Sequence, residues 1–436
     1  MDLDLQRDPE GGWYDRFVRL VDDDGTVVKD FGKNPTLDEL REAEYEYGTR
    51  INLWQQGLVC SDCGNQITDR FSATPDGHLL CWECASSEAG EQRGNLRTNV
   101  DPTKTVLSES KLYKKSLCDY VINVATGCRH GCKFCYVPST PAVDSRDEML
   151  AEKADVDDPQ LDWGNYLLYR DDLPERLHEG LQEKDFSEWR KTDRGRGIVM
   201  LSSGTDCYQD RRAAQITRGC IQELVNHEIP VRVLSRSPNL TRDIDLFKQA
   251  GEKIAIGTSI PSFDASLVNA IEPNAPAPMA RWEALDEMFK TGVPHFVSFS
   301  PTYPTMDRED IREALNWFRA LDPEVVFHEP INPRGENFQM CIEAVREAGF
   351  ESAADEFEKL LDRDKWVEYA LRQINTVQEV ADDLGGIEIH TWPDDQLIRE
   401  TSGSLRQQLV EMKKSISPEI FDGNKPNSSS SQAPIL

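Results

Sequence analysis

Short apolar segments that alternate with amphipathic helical segments are the feature that most limits the fold of this chain. Seven such segments follow one another, at 120–125, 197–201, 231–234, 254–256, 295–297, 324–327 and 387–389. Between them the spacing of apolar residues predicts helices, for example near 209–228 and at 308–320. Apolar strands that alternate with helices in this way predict parallel βα units. About six units predict an α/β fold, a partial (β/α)6 barrel of the TIM type, because a full barrel needs eight.

Three cysteines directly follow the first predicted strand. They lie in the run Gly127-Cys128-Arg129-His130-Gly131-Cys132-Lys133-Phe134-Cys135-Tyr136, with the spacing C-x3-C-x2-C. Thiolates are soft ligands that suit iron–sulfur clusters and zinc. A four-iron cluster held by three thiolates keeps one iron open to a small molecule. The alternative is a zinc site completed by a distant cysteine or by His130, although zinc sites usually present their cysteines as two pairs.

This cysteine run resembles the signature of the radical S-adenosylmethionine (SAM) superfamily. The resemblance implies that Cys128, Cys132 and Cys135 hold a [4Fe–4S] cluster, whose open iron chelates the amino and carboxylate groups of SAM. It implies that an electron passed through the cluster cleaves the sulfonium and releases a 5′-deoxyadenosyl radical. It also implies a low-potential electron donor of the ferredoxin or flavodoxin type as a partner, and the partial barrel that is typical of the superfamily.

Several further stretches resemble the spore photoproduct lyase-like branch of that superfamily, in the same order along about residues 113–335. They are 201–209, 234–238 with 242–246, 257–260 and 271–276. The resemblance implies that Phe134 and Tyr136 flank the adenine or the cluster, and that Thr205 binds SAM. It also places Arg236 near the SAM carboxylate, where an arginine–carboxylate pair would be strong, and Ser259 near the ribose.

Other candidate cofactor-binding residues come from their positions after predicted strands. Small polar residues and a glycine, which let a ligand approach the backbone, follow the second strand at Ser203, Gly204, Thr205 and Asp206. Glu329 lies in a polar stretch, 328–335, that ends a later strand and contains two prolines. Such a loop is typical of a surface that faces substrate or SAM.

One departure from the branch concerns the hydrogen donor. Spore photoproduct lyase uses a cysteine just before its threonine-serine-aspartate stretch, and the corresponding position here is Ser203. A hydroxyl O–H bond is much harder to break homolytically than a thiol S–H bond, so Ser203 cannot replace that cysteine. Cys207 is therefore the candidate catalytic thiol. The alternative is that Cys207 is a small buried residue at the start of a helix.

A second group of cysteines lies near the N-terminus. Cys60 and Cys63 form one C-x2-C pair, Cys81 and Cys84 form another, and seventeen residues separate the pairs. This spacing predicts a zinc ribbon with a closed, structural site. A rubredoxin-like iron site or an auxiliary cluster is the alternative. Few basic residues surround the module, which favours a folding role or a protein contact over a grip on nucleic acid.

The pattern predicts five consecutive regions. They are a small β-hairpin plus helix at 1–50, the zinc module at 51–86, a linker at 87–112, the barrel at 113–412 and a disordered tail at 413–436. Within the barrel, the insertion at 137–196 is long enough to predict a lid or a family-specific element.

Composition limits the partners and the cellular compartment that we expect for the protein. A formal net charge of −29 over 436 residues disfavours contact with nucleic-acid phosphate, unless the acidity serves solvation in a salty cytoplasm, where screening weakens the repulsion. Seven of the eleven cysteines fall into the two metal-type groups, a pattern that is typical of a reducing cytosol. With neither a signal-peptide pattern nor a long apolar run, we expect a cytoplasmic protein with no membrane partner.

Three functional interpretations follow. The first is a radical SAM enzyme that abstracts hydrogen from nucleic acid, either a DNA lesion or RNA. The second is the same machinery acting on a peptide or protein. The third is a non-catalytic iron–sulfur or zinc-binding protein, which a complete cysteine triplet disfavours. The sequence therefore predicts a radical SAM enzyme with an N-terminal zinc module and leaves the substrate open.

Overall fold

The computed structural model describes most of the chain from residue 96 onward and short strands before it. The described residues are 4–7, 17–21, 26–33, 71–73, 79–81, 96–115, 117–183, 197–333 and 335–414. The strands are β1 Asp4–Arg7, β2 Phe17–Val21, β3 Val27–Lys33, β4 Phe71–Ala73, β5 Leu79–Cys81, β6 Arg97–Val100, β7 Ser108–Glu109, β8 Tyr120–Ile122, β9 Ala125–Thr126, β10 Tyr166–Tyr169, β11 Val199–Leu201, β12 Val231–Ser235, β13 Ile254–Ser259, β14 His295–Thr302, β15 Val326–Pro330 and β16 Ile389–Thr391. The α-helices are Pro141–Asp144, Asp147–Ala154, Leu173–Glu183, Arg211–Asn226, Ile244–Ala250, Ala265–Ile271, Pro278–Thr291, Arg308–Arg319, Gly335–Glu347, Glu351–Lys359, Arg363–Leu384, Asp395–Glu400 and Gly403–Lys414.

The main sheet contains seven parallel strands in chain order. They are β8, β11, β12, β13, β14, β15 and β16, and β7 adds an antiparallel strand beside β8. Six crossover connections join the seven parallel strands, and β7 and β16 lie at the two ends of the sheet. This arrangement confirms the predicted α/β fold with a partial (β/α)6 barrel.

The predicted strands form because both faces of the sheet are covered. Every residue of β11 and β13 is buried, as expected for continuous apolar runs in a parallel sheet. Local signals set the helix ends. The Asp210 side chain accepts a hydrogen bond from Ala213 N at the start of one helix, and Gly292 ends another in the left-handed conformation.

The insertion at 137–196 is part of the fold through its described portion, 137–183. Strand β10 pairs in parallel with β6 and in antiparallel with β9, which forms a three-stranded sheet beside the cysteine loop. A helix follows β10 at Leu173–Glu183. A lid function for the insertion stays a prediction.

The N-terminal region is described only in part. Strands β2 and β3 pair in antiparallel, which matches the predicted hairpin, and β1 adds a third strand. Strands β4 and β5 form a second hairpin that ends at Cys81. Cys60, Cys63 and Cys84 lie outside the described residues, as do most of the tail and the predicted helix near residue 36. The zinc site therefore stays a prediction.

The interior of the barrel is closed at one end by a cationic and aromatic layer. The guanidinium of Arg232, which is 2% exposed, lies 5.3 Å from the ring centre of Phe296 and 5.4 Å from that of Phe327. Its Nη1 donates to the carbonyl oxygen of Leu117 at 2.6 Å.

In the part of the chain that the structure describes, no helix is long and apolar enough to cross a membrane.

We predict that Gly257→Ala destabilises the protein. A Cβ at Gly257 would lie 2.3 Å from the fully buried Phe296 ring, and overpacking of this kind costs about 1–3 kcal/mol. Gly180→Ala is the matched control, because Gly180 lies inside a helix with open space around its Cα. That change should instead stabilise by about 0.5–1 kcal/mol. Urea unfolding followed by circular dichroism measures both, and equal effects would contradict the packing argument.

Candidate active site

A cavity of about 370 Å³ lies at the carboxyl ends of the parallel strands. Its lining includes all but one of the predicted barrel residues: Cys128, Cys132, Phe134, Cys135, Tyr136, Ser203, Gly204, Thr205, Asp206, Arg236, Ser259 and Glu329. The predicted catalytic residue Cys207 is not among them. Residues up to two hundred positions apart in the sequence thus meet in one place.

The cysteine loop is shaped by two glycines with left-handed backbone. Gly127 has φ +92° and Gly131 has φ +60°. A Cβ at Gly127 would lie 2.2 Å from the backbone oxygen of Tyr166 in β10, and Gly131 packs closely against Gly164. Only glycine fits positions of this kind. The insertion therefore supports one side of the loop.

The segment that carries the predicted stretch 271–276 supports the other side. Lys133 N donates to Ile271 O at 2.9 Å, and Asn274 N donates to His130 O at 3.3 Å. Backbone hydrogen bonds of this kind fix the path of the chain between the first and third cysteines.

Cys128 and Cys132 are buried, Cys135 is half-buried, and all three line one cavity. Burial is the main cause that raises the pKa of Cys128 and of Cys135 to about 12, and it raises the pKa of Cys132 further. At neutral pH these groups are thiols, and a bound cationic centre would favour the thiolates. A set of soft donors at the mouth of a cavity fits an iron–sulfur cluster.

A zinc site at the cysteine loop stays an alternative, because Cys60, Cys63 and Cys84 lie outside the described residues. In residues 96–183 and 197–414, with their two single-residue gaps, no three His, Cys, Asp or Glu side chains converge closely enough to hold one metal ion. A four-iron cluster binds each thiolate through a different iron, so it requires no such convergence. His130 Nδ1 lies 3.4 Å from Asp206 Oδ2, and its ring is 1% exposed.

Asp206 joins three parts of the site. Its carboxylate, which is 7% exposed, receives hydrogen bonds from Ser235 Oγ at 2.6 Å, Arg236 N at 2.6 Å and Tyr208 N at 2.8 Å. Together with His130, these donors belong to the cysteine loop and to the ends of β11 and β12. Asp206 therefore positions the parts of the site relative to one another, and its predicted contact with a cofactor stays a prediction.

Thr205 links the loop after β11 to the cysteine loop. Its Oγ1 donates to Gly127 O at 2.6 Å and accepts from Gln209 Nε2 at 2.9 Å. Gln209 Oε1 in turn accepts from Arg129 N at 2.7 Å. Sequence reasoning included Gln209 only as the last residue of the stretch 201–209 and gave it no role, because nothing near it in the sequence indicates this contact.

Asn123 is a second site residue that sequence reasoning missed. Its Oδ1 accepts from Ser203 N at 3.0 Å and from Gly204 N at 2.7 Å. The residue follows β8, so a polar side chain at a strand end was the available signal. Through these bonds Asn123 fixes the backbone that would approach SAM.

Arg236 belongs to a buried ionic network. Glu272 and Arg281 are both 0% exposed, and Arg281 Nη2 donates to Glu272 Oε2 at 2.6 Å. Arg236 Nε donates to the same oxygen at 3.2 Å, and its guanidinium lies 5.3 Å from the ring centre of Phe134. Burial opposes ionisation of Glu272, but the two guanidinium groups outweigh it and hold the pKa of this carboxyl below its usual value.

Arg281 also fixes the backbone on either side of that carboxylate. Its Nε donates to Pro276 O at 2.7 Å and its Nη1 donates to Ser259 O at 2.9 Å. Ser259 thereby keeps its place at the cavity wall, where the sequence predicts contact with the ribose.

Glu329 lies on the far side of the cavity. It forms an ion pair with Lys115, whose ammonium also lies 4.7 Å from the ring centre of Trp392. Lys413 lies 3.9 Å from the centre of the same ring. Glu329 therefore helps to join the start of the sheet to its end, and its predicted contact with a cofactor stays a prediction.

Cys207 lies in the hydrophobic core. It is 0% exposed, its Sγ is 3.9 Å from Leu234 O, and burial raises its pKa well above the usual value. The structure thus places Cys207 as the buried residue at the start of a helix that the alternative described. A role as hydrogen donor gains no support from this position.

Residues 122–318 match the family model of the Radical SAM superfamily. They carry a radical SAM domain. The match begins inside β8 and includes the cysteine loop, the Asp206 contacts and the Glu272 network, so the site lies mostly within it.

Similar proteins extend this finding without adding an activity. An uncharacterized protein, ORF301, of Acidianus two-tailed virus is 28% identical over 246 residues, which are 55% of this chain and 76% of that protein. An uncharacterized protein of Methanocaldococcus jannaschii, MJ0683, is 24% identical over 188 residues, 43% of this chain and 61% of that protein. The chain thus spans less than two thirds of the second relative.

Two solved structures were also found to be similar. Spore photoproduct lyase complexed with dinucleoside spore photoproduct has 14% sequence identity and a TM-score of 0.46, covering 67% of this chain and 80% of that one. Streptococcus suis SuiB bound to S-adenosylmethionine has 10% identity and a TM-score of 0.33, covering 66% of this chain and 52% of that one.

We predict that Glu272→Gln strongly destabilises the radical SAM domain. The change leaves the buried guanidinium of Arg281 and the partly exposed guanidinium of Arg236 without a countercharge, and breaking a buried ion pair costs about 3–5 kcal/mol. Glu379→Gln is the control, because Glu379 pairs with Arg308 at an exposed site and should change stability little. Chemical unfolding at pH 7 measures both variants. A loss in Glu272→Gln no larger than in the control would contradict the network's role.

The same carboxylate predicts a dependence of stability on pH. Its native pKa lies below the usual glutamate value of 4.5, so the unfolded chain binds more protons in acid than the native protein does. The stability contributed by Glu272 is complete above about pH 4.5 and is lost as the pH falls through the native pKa. Between pH 7 and 3, wild type should therefore lose more stability than Glu272→Gln, which unfolding curves at a series of pH values measure.

Proposed function

We propose that this protein is a radical SAM enzyme that cleaves SAM reductively and abstracts hydrogen from a substrate held in the barrel. The observation that carries the proposal is the placement of the Cys128, Cys132 and Cys135 thiols on one braced loop at the mouth of the cavity. This loop lies inside the matched radical SAM domain.

The three thiolates would hold a [4Fe–4S] cluster, which when bound supplies one low-potential electron and an iron open to SAM. Arg236 brings a positive charge to the same part of the cavity and suits the SAM carboxylate. The Ser203 and Gly204 backbone, fixed by Asn123, and Ser259, fixed by Arg281, would bind the rest of the cofactor.

The walls of the cavity favour radical chemistry because many of them are apolar. The apolar lining residues include Met200, Leu234, Phe296, Phe327, Ile331, Phe338, Trp366 and Ile374. Such walls exclude water and other hydrogen sources from a reactive species. Within the described residues, the only cysteines in the lining are those of the loop, so we propose that a protein thiol does not return the abstracted hydrogen.

We propose nucleic acid as the substrate class, supported by the order-preserving resemblance of the barrel motifs to the spore photoproduct lyase-like branch. Binding that weakens with salt in proportion to phosphate contacts would support it. Preferential modification of a peptide would favour the second interpretation. A ferredoxin- or flavodoxin-type donor, a cytoplasmic location and a zinc ion at Cys60, Cys63, Cys81 and Cys84 complete the proposal.

We predict that Cys132→Ala abolishes SAM cleavage. Protein reconstituted anaerobically with iron and sulfide and reduced with dithionite should release 5′-deoxyadenosine, measured by mass spectrometry. The variant should show neither release nor the cluster's electron paramagnetic resonance signal, because two thiolates do not hold the cluster. Cys220→Ala is the matched control, since Cys220 is equally buried but lies in the helix Arg211–Asn226. It should keep both signals.

Two results would contradict the proposal. One is zinc bound by the loop cysteines with no cluster formed on reconstitution. The other is a reducible cluster that fails to cleave SAM in the presence of every substrate class tested.

A further inference from the structure

Buried polar atoms without hydrogen-bond partners are concentrated in this cavity. In the described part of the chain, the lining residues that carry such atoms include His130, Ser202, Asn332, Asn337 and Trp392. Folded proteins satisfy roughly 90% or more of their buried polar groups. A cluster of unsatisfied groups around one cavity therefore indicates that ligands complete their hydrogen bonds.

These residues fall into two groups. His130 and Ser202 lie beside the cysteine loop and the end of β11, in the part assigned above to SAM. Asn332 follows β15, Asn337 begins the next helix, and Trp392 follows β16. Along the curved sheet, three strand spacings of about 4.8 Å separate β15 from β12, which leads to Arg236. The second group thus extends the site beyond the SAM side.

The carboxamides of the second group are unusual because both ends are unsatisfied. Asn337 is 2% exposed, and its Oδ1 and Nδ2 are both buried without a partner. The Oδ1 and Nδ2 of Asn332 are also buried without a partner, and the Trp392 Nε1 adds a third donor. A carboxamide presents an acceptor and a donor side by side in one plane. Its natural partner is a group with a donor beside an acceptor.

We infer that Asn332, Asn337 and Trp392 form a subsite that reads the hydrogen-bonding edge of a nucleobase in the substrate. The inference rests on the proposed function and specifies which part of a nucleic-acid substrate the site binds. Nucleobases carry adjacent donors and acceptors on their edges, and asparagine pairs with adenine in this way. A peptide backbone does not offer this match. A trans peptide unit directs its N–H and its C=O to opposite sides, so one carboxamide cannot bind both groups of the same unit.

Aromatic side chains at the same place suit a flat ring. Phe327 and His390 pack edge to face with 5.7 Å between ring centres, and both line the cavity with Trp392. Stacking of bases on aromatic rings is a general means of holding an unpaired base. An interior cavity admits only a base that has left the helical stack, so a single-stranded or extruded base is the expected ligand.

The test uses the reconstituted holoprotein with SAM and a fluorescein-labelled thymidine decamer, with binding followed by fluorescence anisotropy. Asn332→Leu and Asn337→Leu replace each carboxamide with an apolar group of similar size. Each should weaken decamer binding at least tenfold while the dissociation constant of SAM changes less than twofold. Asn226→Leu, at an exposed helix end, is the matched control and should bind the decamer normally.

A second probe tests whether the site binds the hydrogen-bonding edge of the base. A decamer of N3-methylthymidine lacks the base donor and should bind wild type at least tenfold more weakly, with no further loss in either variant. Because the wild-type carboxamides are unsatisfied in the free protein, the variants should unfold at the same temperature or higher. A lowered unfolding temperature with unchanged decamer binding would show a structural role and overturn the inference.

Other outcomes also overturn it. A tenfold loss of SAM affinity in the variants would assign these residues to the adenine of SAM. Equal binding of methylated and unmethylated decamers, or preferential binding of a glutamine-containing peptide, would exclude the nucleobase edge. The proposed function is read separately, from 5′-deoxyadenosine release by wild type. Release without decamer binding overturns only the subsite, and decamer binding without release from a reduced cluster overturns only the radical chemistry.

Discussion

A single buried carboxylate, that of Glu272, holds the candidate site together. It binds the buried guanidinium of Arg281 and the partly exposed guanidinium of Arg236, and its segment also provides the Ile271 oxygen and the Asn274 nitrogen that fix the cysteine loop. Removal of the charge would leave Arg236 and Arg281 uncompensated. The loop, the end of β12 and the end of β13 therefore depend on one ion-pair network.

This network also explains how a strongly acidic chain builds a cavity suited to an anionic group. The net charge of −29 belongs to the chain as a whole, whereas the cavity wall carries Arg236 beside the thiols. At short range in a poorly solvated site, a nearby charge outweighs distant surface charges, which water and salt screen. The overall acidity is thus compatible with binding a carboxylate inside the barrel. Its effect is expected at the outer surface, on the rate and salt dependence of encounters with phosphate.

The strands and helices of the barrel could be predicted because their signals are local. Apolar runs gave the seven parallel strands, and the spacing of apolar residues gave helices that the structure has at Arg211–Asn226 and Arg308–Arg319. The contacts that build the site could not be predicted in the same way. Asn123 and Ser203 are eighty residues apart, and nothing near either residue indicates their hydrogen bond. The position of Cys207 after a strand suggested a catalytic role. Its side chain instead lies in the hydrophobic core, and the direction of a side chain depends on tertiary packing that the local sequence does not show.

The incomplete barrel leaves one seam that strand pairing does not close. The segment before β8 crosses it, since Lys115 pairs with Glu329 on β15 and lies over Trp392 after β16. The side chains of this ion pair are 23% and 36% exposed, and partly exposed pairs of this kind are worth about 1 kcal/mol or less. A ladder of backbone hydrogen bonds across the same gap would be far harder to open. Leu117 in the same segment adds to the contact, because its carbonyl oxygen accepts from the buried Arg232 and its side chain packs against the cluster of Phe296 and Phe327. Side-chain packing and single hydrogen bonds thus hold this edge of the barrel in place of a strand ladder.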